Sequence, residues 1–370
     1  MTLFSTAQNH DSRSAQERAR VGRRRALTVG AAGLGALAIP AAAGLPAARA
    51  EHTGAERQGA ESADHGGHGP GESGGDHGPN FPDFTYAGVI TEGLSYDPTG
   101  EFIFPSVLHA GRHLRDPLGE WYLYYAPHEN PGGICLMYAD SLDGPWTEYV
   151  ANPLIENEWG DFYSAPHVSS PHVFWNEGEQ KLFCYFHGPN SVTRFATSHD
   201  GVRFEYGDVA VTTDMLGDDS TEASYARIFE HPDRHSHCRY GMFFMENTTA
   251  DHRRIRVAQS VDGRDWDVLP EPLVTPGELD DGNVSGADLW TWRGRTYVIY
   301  HASSGIVFAR PVDRTLTSVG KPQVLHQASG EGEDTGRVAA PQVVTLRGRS
   351  YLFYERGARL DGAIAYAVSE

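Results

Sequence analysis

Cysteine is scarce in this chain: three in 370 residues, Cys135, Cys184 and Cys238. An odd count at scattered spacing excludes a disulfide framework. Two of the three fall in apolar, strand-like stretches, where a free cysteine reads as a small core residue before it reads as a nucleophile. Positive charge is also short. A formal net charge of −19 excludes a surface for nucleic acid or anionic lipid, because a polyanion would be repelled. Beyond residue 84 no long stretch repeats its apolar residues at the helical 3.6 period, which excludes a helical domain. Only one long apolar run exists, at 26–45. It is rich in Gly and Ala, follows Arg23, Arg24 and Arg25, and ends at the small-x-small residues 48–50. That is an export leader rather than a membrane span, and its paired arginines indicate the twin-arginine route with cleavage after Ala50.

Residues 51–80 hold Gly, His, Glu and Ser and almost nothing to bury, so they read as a disordered linker. His65, His68 and His77 could trap a transition metal, but with no rigid scaffold around them the linker reading prevails.

What the chain does have, from 84 to 370, is a repeat. Short strands open near Pro105, Pro171, Ala226, Ala287 and Pro341, about 54–66 residues apart. Each is followed by an aromatic-rich second strand (121–125, 182–186, 241–245, 296–300, 350–354) and a third. Three third strands run into Ser-x-Asp-Gly, at 141–144, 198–201 and 260–263, with Trp146, Phe204 or Trp266 following. Asp-Gly is a hairpin turn and the aromatic begins an outer fourth strand, so these aspartates are structural. Antiparallel quartets at this period define a β-propeller, and five copies define five blades. The fifth copy ends after its third strand, which would leave a bare edge. The alternating segment 84–90 is expected to supply the missing outer strand and close the ring.

Up-and-down blades put the starts of first strands and the ends of second strands on one face. Two sets of polar residues therefore converge on a funnel: Ser106, His172, Arg227, Asp288 and Gln342, with Glu222, Ser224 and Tyr225 upstream, and His128, Glu129, His187, Glu246, His301, Glu355 and Arg356. Converging ionisable groups are what a binding or catalytic pocket needs. Glycoside hydrolysis requires two carboxylates. Asp288, at an innermost start, is the expected base or nucleophile; Glu246 is the expected general acid, with Glu222 as its alternate. His128, His172, His187, His301, Tyr225, Gln342 and Glu355 are expected to bind sugar. Arg227 and Arg356 suggest an acidic sugar, because Arg pairs bidentately with carboxylate or sulfate. Trp290 and Trp292 read as blade packing before sugar stacking. No protein metal ligands are assigned; the one cofactor the histidines allow is a divalent cation such as calcium, held through water in the central channel.

The residues at 119–125, 141–146 and 340–343 resemble the five-bladed propellers of the family 43 and family 117 glycoside hydrolases, and this likeness spans 84–370. It implies an exported, monomeric enzyme acting on a plant or algal carbohydrate. It also implies an Asp just before the first blade's proline. Phe104 stands there instead, Ser170 precedes Pro171, and Glu222 corresponds only roughly, so the acid and base are not inherited from the resemblance and the chain reads as a divergent branch. Two other readings stay open: a lyase acting on uronate-containing glycans through Tyr225, Arg227, His172 and His187, and a sugar-binding propeller without turnover.

Overall fold

The computed structural model describes residues 81–369. The leader at 1–50 and the linker at 51–80 lie outside the described residues. Within them the chain forms five four-stranded antiparallel sheets and one small two-stranded hairpin, Glu158–Trp159 with Tyr163–Ser164. Blade I runs Phe102–Leu108, Trp121–Pro127, Cys135–Ala139 and Thr147–Glu148 from axis to rim. Blade II is Ser169–Asn176, Lys181–His187, Val192–Ser198 and Glu205–Thr212. Blade III is Ser220–Glu230, Tyr240–Thr248, Arg254–Ser260 and Asp267–Val268. Blade IV is Val284–Trp292, Arg295–Ala302, Val307–Pro311 and Gln323–His326. Blade V takes Arg337–Leu346, Arg349–Ala358 and Asp361–Ser369 from the end of the chain.

The outer strand of blade V is Phe84–Val89, paired antiparallel with Asp361–Ser369 from Phe84↔Ser369 to Val89↔Ala365. The segment expected to cover the bare edge does so, and the ring closes by main-chain hydrogen bonds between the two ends of the repeat. Each innermost strand touches those of the blades before and after it, including V against I.

Second strands such as Trp121–Pro127 and Tyr240–Thr248 are buried at every position. The reason is that both faces of each blade are covered, so aromatic and aliphatic residues need not alternate with polar ones. The core divides accordingly into one apolar cluster per blade interface. Tyr124, Leu136, Val173 and Phe186 join I to II; Phe183, Phe195, Tyr240 and Trp266 join II to III; Phe243, Val257, Val298 and Tyr300 join III to IV. Trp290, Tyr297, Leu352 and Tyr354 join IV to V, and Leu123, Tyr125, Phe353 and Ile364 close V on I. Each fully buried aromatic contributes about 1.5–3 kcal/mol. Trp290 and Trp292 stack on each other at 5.5 Å, and Trp290 packs on Tyr297, so both belong to blade packing.

The Asp-Gly turns are structural as expected. Asp200 Oδ1 accepts the amides of Val202 and Arg203, and Asp262 Oδ1 those of Arg264 and Asp265. Tyrosines of the preceding blades donate to the turn glycines: Tyr124 to the Gly201 carbonyl at 2.8 Å, and Tyr185 to that of Gly263. Cys135 and Cys184 are wholly buried, and burial pushes both thiols up, away from the reactive thiolate.

Candidate active site

Every innermost strand slips its register at the same place. Pairing with the second strand breaks between Ile103 and Ser106, Ser169 and His172, Ser224 and Arg227, Ser285 and Asp288, and Ala339 and Gln342. At each slip one residue takes a left-handed backbone: Phe104 (φ 56°), Ser170 (57°), Tyr225 (59°), Gly286 (56°) and Ala340 (45°). Four of these are not glycine, and each costs about 1–2 kcal/mol in that conformation. A bulge re-aims the side chains on either side of it. Residues after the slip form a belt on the axis; residues before it, with the ends of the second strands, face a cavity.

The belt is made of Ser106, His172, Arg227, Asp288 and Gln342. Ser106 Oγ accepts the Val173 amide of blade II at 2.9 Å, and His172 Nε2 lies 2.9 Å from the Ile228 carbonyl of blade III. Gln342 Oε1 accepts the Val107 amide of blade I at 2.5 Å, with its Nε2 3.5 Å from the same residue's carbonyl. Arg227, only 1% exposed, reaches across the axis to donate to the Pro105 carbonyl at 3.0 Å and the Pro171 carbonyl at 3.5 Å. Its Nη1 is 3.3 Å from His172 Nδ1. Burial, helped by Arg227, pushes the His172 imidazole down to about 3. Burial likewise raises the Asp288 carboxyl to about 6 against the pull of Arg227, and Asp288 Oδ1 accepts the Leu289 amide at 2.8 Å. Ser106, His172, Arg227 and Gln342 tie blade to blade.

The cavity, of about 370 Å³, lies on the other side of the slip. Its floor carries Phe104 and Tyr225, with ring centroids 4.3 Å apart, backed by Ile103, Met245 and Ala340. One wall is a chain of ionic groups from blades V and I. His128 Nδ1 lies 3.0 Å from Oε2 of Glu101, which is buried. Glu101 Oε1 accepts the Leu360 amide at 2.8 Å and lies 3.7 Å from Arg337, which donates its Nη2 to Glu355 Oε1. Burial alone would raise the Glu101 carboxyl; His128, the Leu360 amide and Arg337 outweigh it and hold it below the usual carboxylate range. Gly362 leaves the room for this meeting, since a Cβ there would stand 3.2 Å from both Glu101 Oε1 and Glu355 Oε1.

The facing wall comes from blades III and IV: Asp251, Arg253, Asn283, Ser285, His301 and Ser303, with Arg359 from the hairpin of blade V. Asn283 Oδ1 accepts the Arg253 amide at 2.9 Å and its Nδ2 donates to the Asp251 carbonyl at 3.1 Å, which fixes that loop. His301 Nδ1 accepts the Ala340 amide at 3.1 Å, so its proton sits on Nε2. Burial first, then Arg337 and Arg253, push this imidazole down to about 3 and keep it neutral.

Among the residues that the sequence singles out, His128, Tyr225, His301 and Glu355 line this cavity. Glu222 stands behind Arg253, at 3.8 Å, and accepts from Asn247 at 3.2 Å. His187 lies behind Tyr225, its ring edge-on at 5.4 Å and its Nε2 3.1 Å from His167. The remaining expectations need correction. Asp288, His172, Arg227 and Gln342 lie beyond the slip in the belt, because the bulge turns them from the funnel. Glu246 is fully buried inside blade III, where its carboxylate takes Ser220 at 2.5 Å, Arg254 at 2.8 and 3.2 Å and stands 3.4 Å from Arg256, and it does not line the cavity. Arg356 donates to the Glu333 carbonyl at 3.0 Å, outside the cavity wall. Among the described residues no three His, Cys, Asp or Glu side chains are grouped to hold a metal ion directly. Glu101, Asp251, Arg253, Arg337 and Arg359 were missed. All lie at or just beyond strand ends, and the signal available was charge packed against those ends, as in His252, Arg253 and Arg254 after blade III's second strand.

The fold and this funnel define a class: five-bladed β-propellers, an architecture shared with glycoside hydrolases. No protein-family model matches the chain, and no curated protein does. Among solved structures it is similar to one described as a glycoside hydrolase (TM-score 0.60, 14% identity, 78% of this chain and 92% of that one). It is also similar to an α-L-arabinofuranosidase from Lactobacillus brevis (TM-score 0.53, 14% identity, 74% and 92%). A third is an N-acetylgalactosamine deacetylase from F. plautii in complex with blood group B trisaccharide (TM-score 0.52, 13% identity, 78% and 95%). At these identities the likeness establishes the architecture.

Proposed function

We propose that this protein is an exported glycoside hydrolase whose proton donor is His128 and whose base is Glu355. The observation that carries the reading is the chain His128–Glu101–Arg337–Glu355 along one cavity wall. A buried carboxylate 3.0 Å from one imidazole nitrogen leaves the other free to deliver a proton to a leaving glycosidic oxygen. Glu355, paired with Arg337, would take a proton from the attacking water. Phe104 and Tyr225 give the sugar an apolar floor. The fold shared with glycoside hydrolases supports the carbohydrate assignment, and this pair replaces the Asp that the sequence lacks at Phe104. Plant or algal polysaccharides are the proposed substrates.

One observation favours elimination instead. Burial raises the Tyr225 phenol and Glu222 adds to it, while Arg253, Arg359 and Arg337 around it pull the other way. A phenol among arginines suits proton abstraction beside a uronate. A screen of acidic and neutral plant and algal polysaccharides decides the matter. Hydrolysis yields new reducing ends alone; elimination adds an unsaturated, ultraviolet-absorbing end. No new ends from any polymer, or full turnover by Glu355→Gln, would sink the hydrolase reading. Export is tested by recovering from the medium of an expressing host a protein that begins at Glu51.

A further inference from the structure

We infer that the funnel selects saccharides bearing an oxyanion, a carboxylate or a sulfate ester, through Arg253, Arg337 and Arg359; the inference rests on the carbohydrate reading above and names the class of sugar. A chain of net charge −19 places three guanidinium groups around one cavity. Their donors are not used up. Arg253 and Arg337 each keep a buried Nε–H with no acceptor, and Arg253's ion pair with Glu222 is long, at 3.8 Å. Arg359 makes no ion pair among the described residues. Ser285, 3% exposed and on the cavity wall, has a hydroxyl with no partner.

Buried donors left unpaired are costly, so an arrangement that keeps several around one space fits a ligand that supplies acceptors. Guanidinium forks match the oxygens of a carboxylate or sulfate two at a time. His301 adds to the match. Its proton is fixed on Nε2, so it can donate to an oxyanion without itself being charged. Arg227 and Arg356, which the sequence offers for this purpose, do not line the cavity: Arg227 is bonded to the Pro105 carbonyl in the belt, and Arg356 to the Glu333 carbonyl.

The test is calorimetric titration of the full chain with matched pairs: oligogalacturonides against their carboxyl-reduced twins, and sulfated galactan oligosaccharides against their desulfated twins. One charged member should bind at least about ten-fold tighter than its neutral twin, and which one does so distinguishes carboxylate from sulfate. Arg359→Gln, at an exposed hairpin, and Arg253→Gln should each weaken the charged twin far more than the neutral one, removing most of that advantage. Twins that bind alike, no binding by any charged member, or variants that weaken both twins equally would overturn the inference. Cleavage of neutral and charged polymers at equal rates would defeat it and spare the hydrolase reading; charge-selective binding with no cleavage would do the reverse.

Discussion

The axial belt and the funnel wall are both polar; the belt is largely buried on the innermost strands, while the wall is mostly half-buried and takes in loop residues as well. They differ in where their hydrogen bonds go. Ser106, His172, Arg227 and Gln342 spend their donors and acceptors on the main chain of other blades. Arg253, Arg337 and Ser285 keep donors in hand. The two regions differ in satisfaction rather than in polarity, and an unpaired buried group costs about 1–3 kcal/mol unless a ligand supplies its partner. Substitutions on the funnel should move activity more than stability; those in the belt should do the opposite.

The largest effect is expected from His128→Gln. Loss of a general acid should lower kcat/KM by about 10²–10⁴-fold, with the urea midpoint nearly unchanged. A variant that retains full activity would remove His128 from the mechanism. Next comes Arg227→Met in the belt, which should cost about 1–3 kcal/mol in urea unfolding for each of the two main-chain carbonyls it leaves unpaired in a buried place. A loss below about 1 kcal/mol would show that the axial bonds are incidental.

Much of this was legible in the sequence, and the reasons for the gaps are physical. Strand quartets, Asp-Gly turns and the closing strand at Phe84–Val89 were readable because turns and alternation are local. The face of the funnel was readable too, which is why His128, Tyr225, His301 and Glu355 stand on its wall. The bulge was not. It places Phe104 and Tyr225 in left-handed backbone, where neither residue type announces it, and so Asp288 and Arg227 looked like site residues when they face the axis. Glu246 misled for another reason: its partners Arg254 and Arg256 sit on the next strand with alternating spacing, and that pairing shows only once the register is known. Arg253 and Arg359 lie on loops, which carry no periodicity.

A third effect comes from pH and has opposite signs within the belt. His172 titrates at about 3 when folded against an ordinary value of 6.5, so the unfolded chain gains the proton first as pH falls. The stability tied to it is complete above about pH 6.5 and is lost toward pH 3; from pH 7 to 5 the loss is about 2 kcal/mol. His301 in the funnel behaves alike. Asp288 runs the other way. Its folded value of about 6 lies above the ordinary 3.8, so the folded state gains the proton first and is favoured by about 1 kcal/mol over the same interval. Urea unfolding at both pH values should show a shallower acid loss for His172→Gln and a steeper one for Asp288→Asn. Identical slopes for both variants would contradict the assigned burial.

The smallest effect tests the bulge that divides the two regions. Ser170 is 2% exposed, left-handed at φ 57°, and its hydroxyl has no partner. Blade IV solves the same geometry with Gly286 at φ 56°. Ser170→Gly should recover about 1–2 kcal/mol of backbone strain and the cost of an unsatisfied hydroxyl, offset by about 0.4–1 kcal/mol from the freer unfolded chain. The expected net is a gain of about 1 kcal/mol in urea unfolding with glycan binding unchanged, because Ser170 lies outside the cavity wall. A loss of stability would mean that the hydroxyl has a partner after all. A loss of binding with stability intact would mean that blade II contributes to the funnel, and the boundary between belt and site would have to be redrawn at Ser170 and at His187 beyond it.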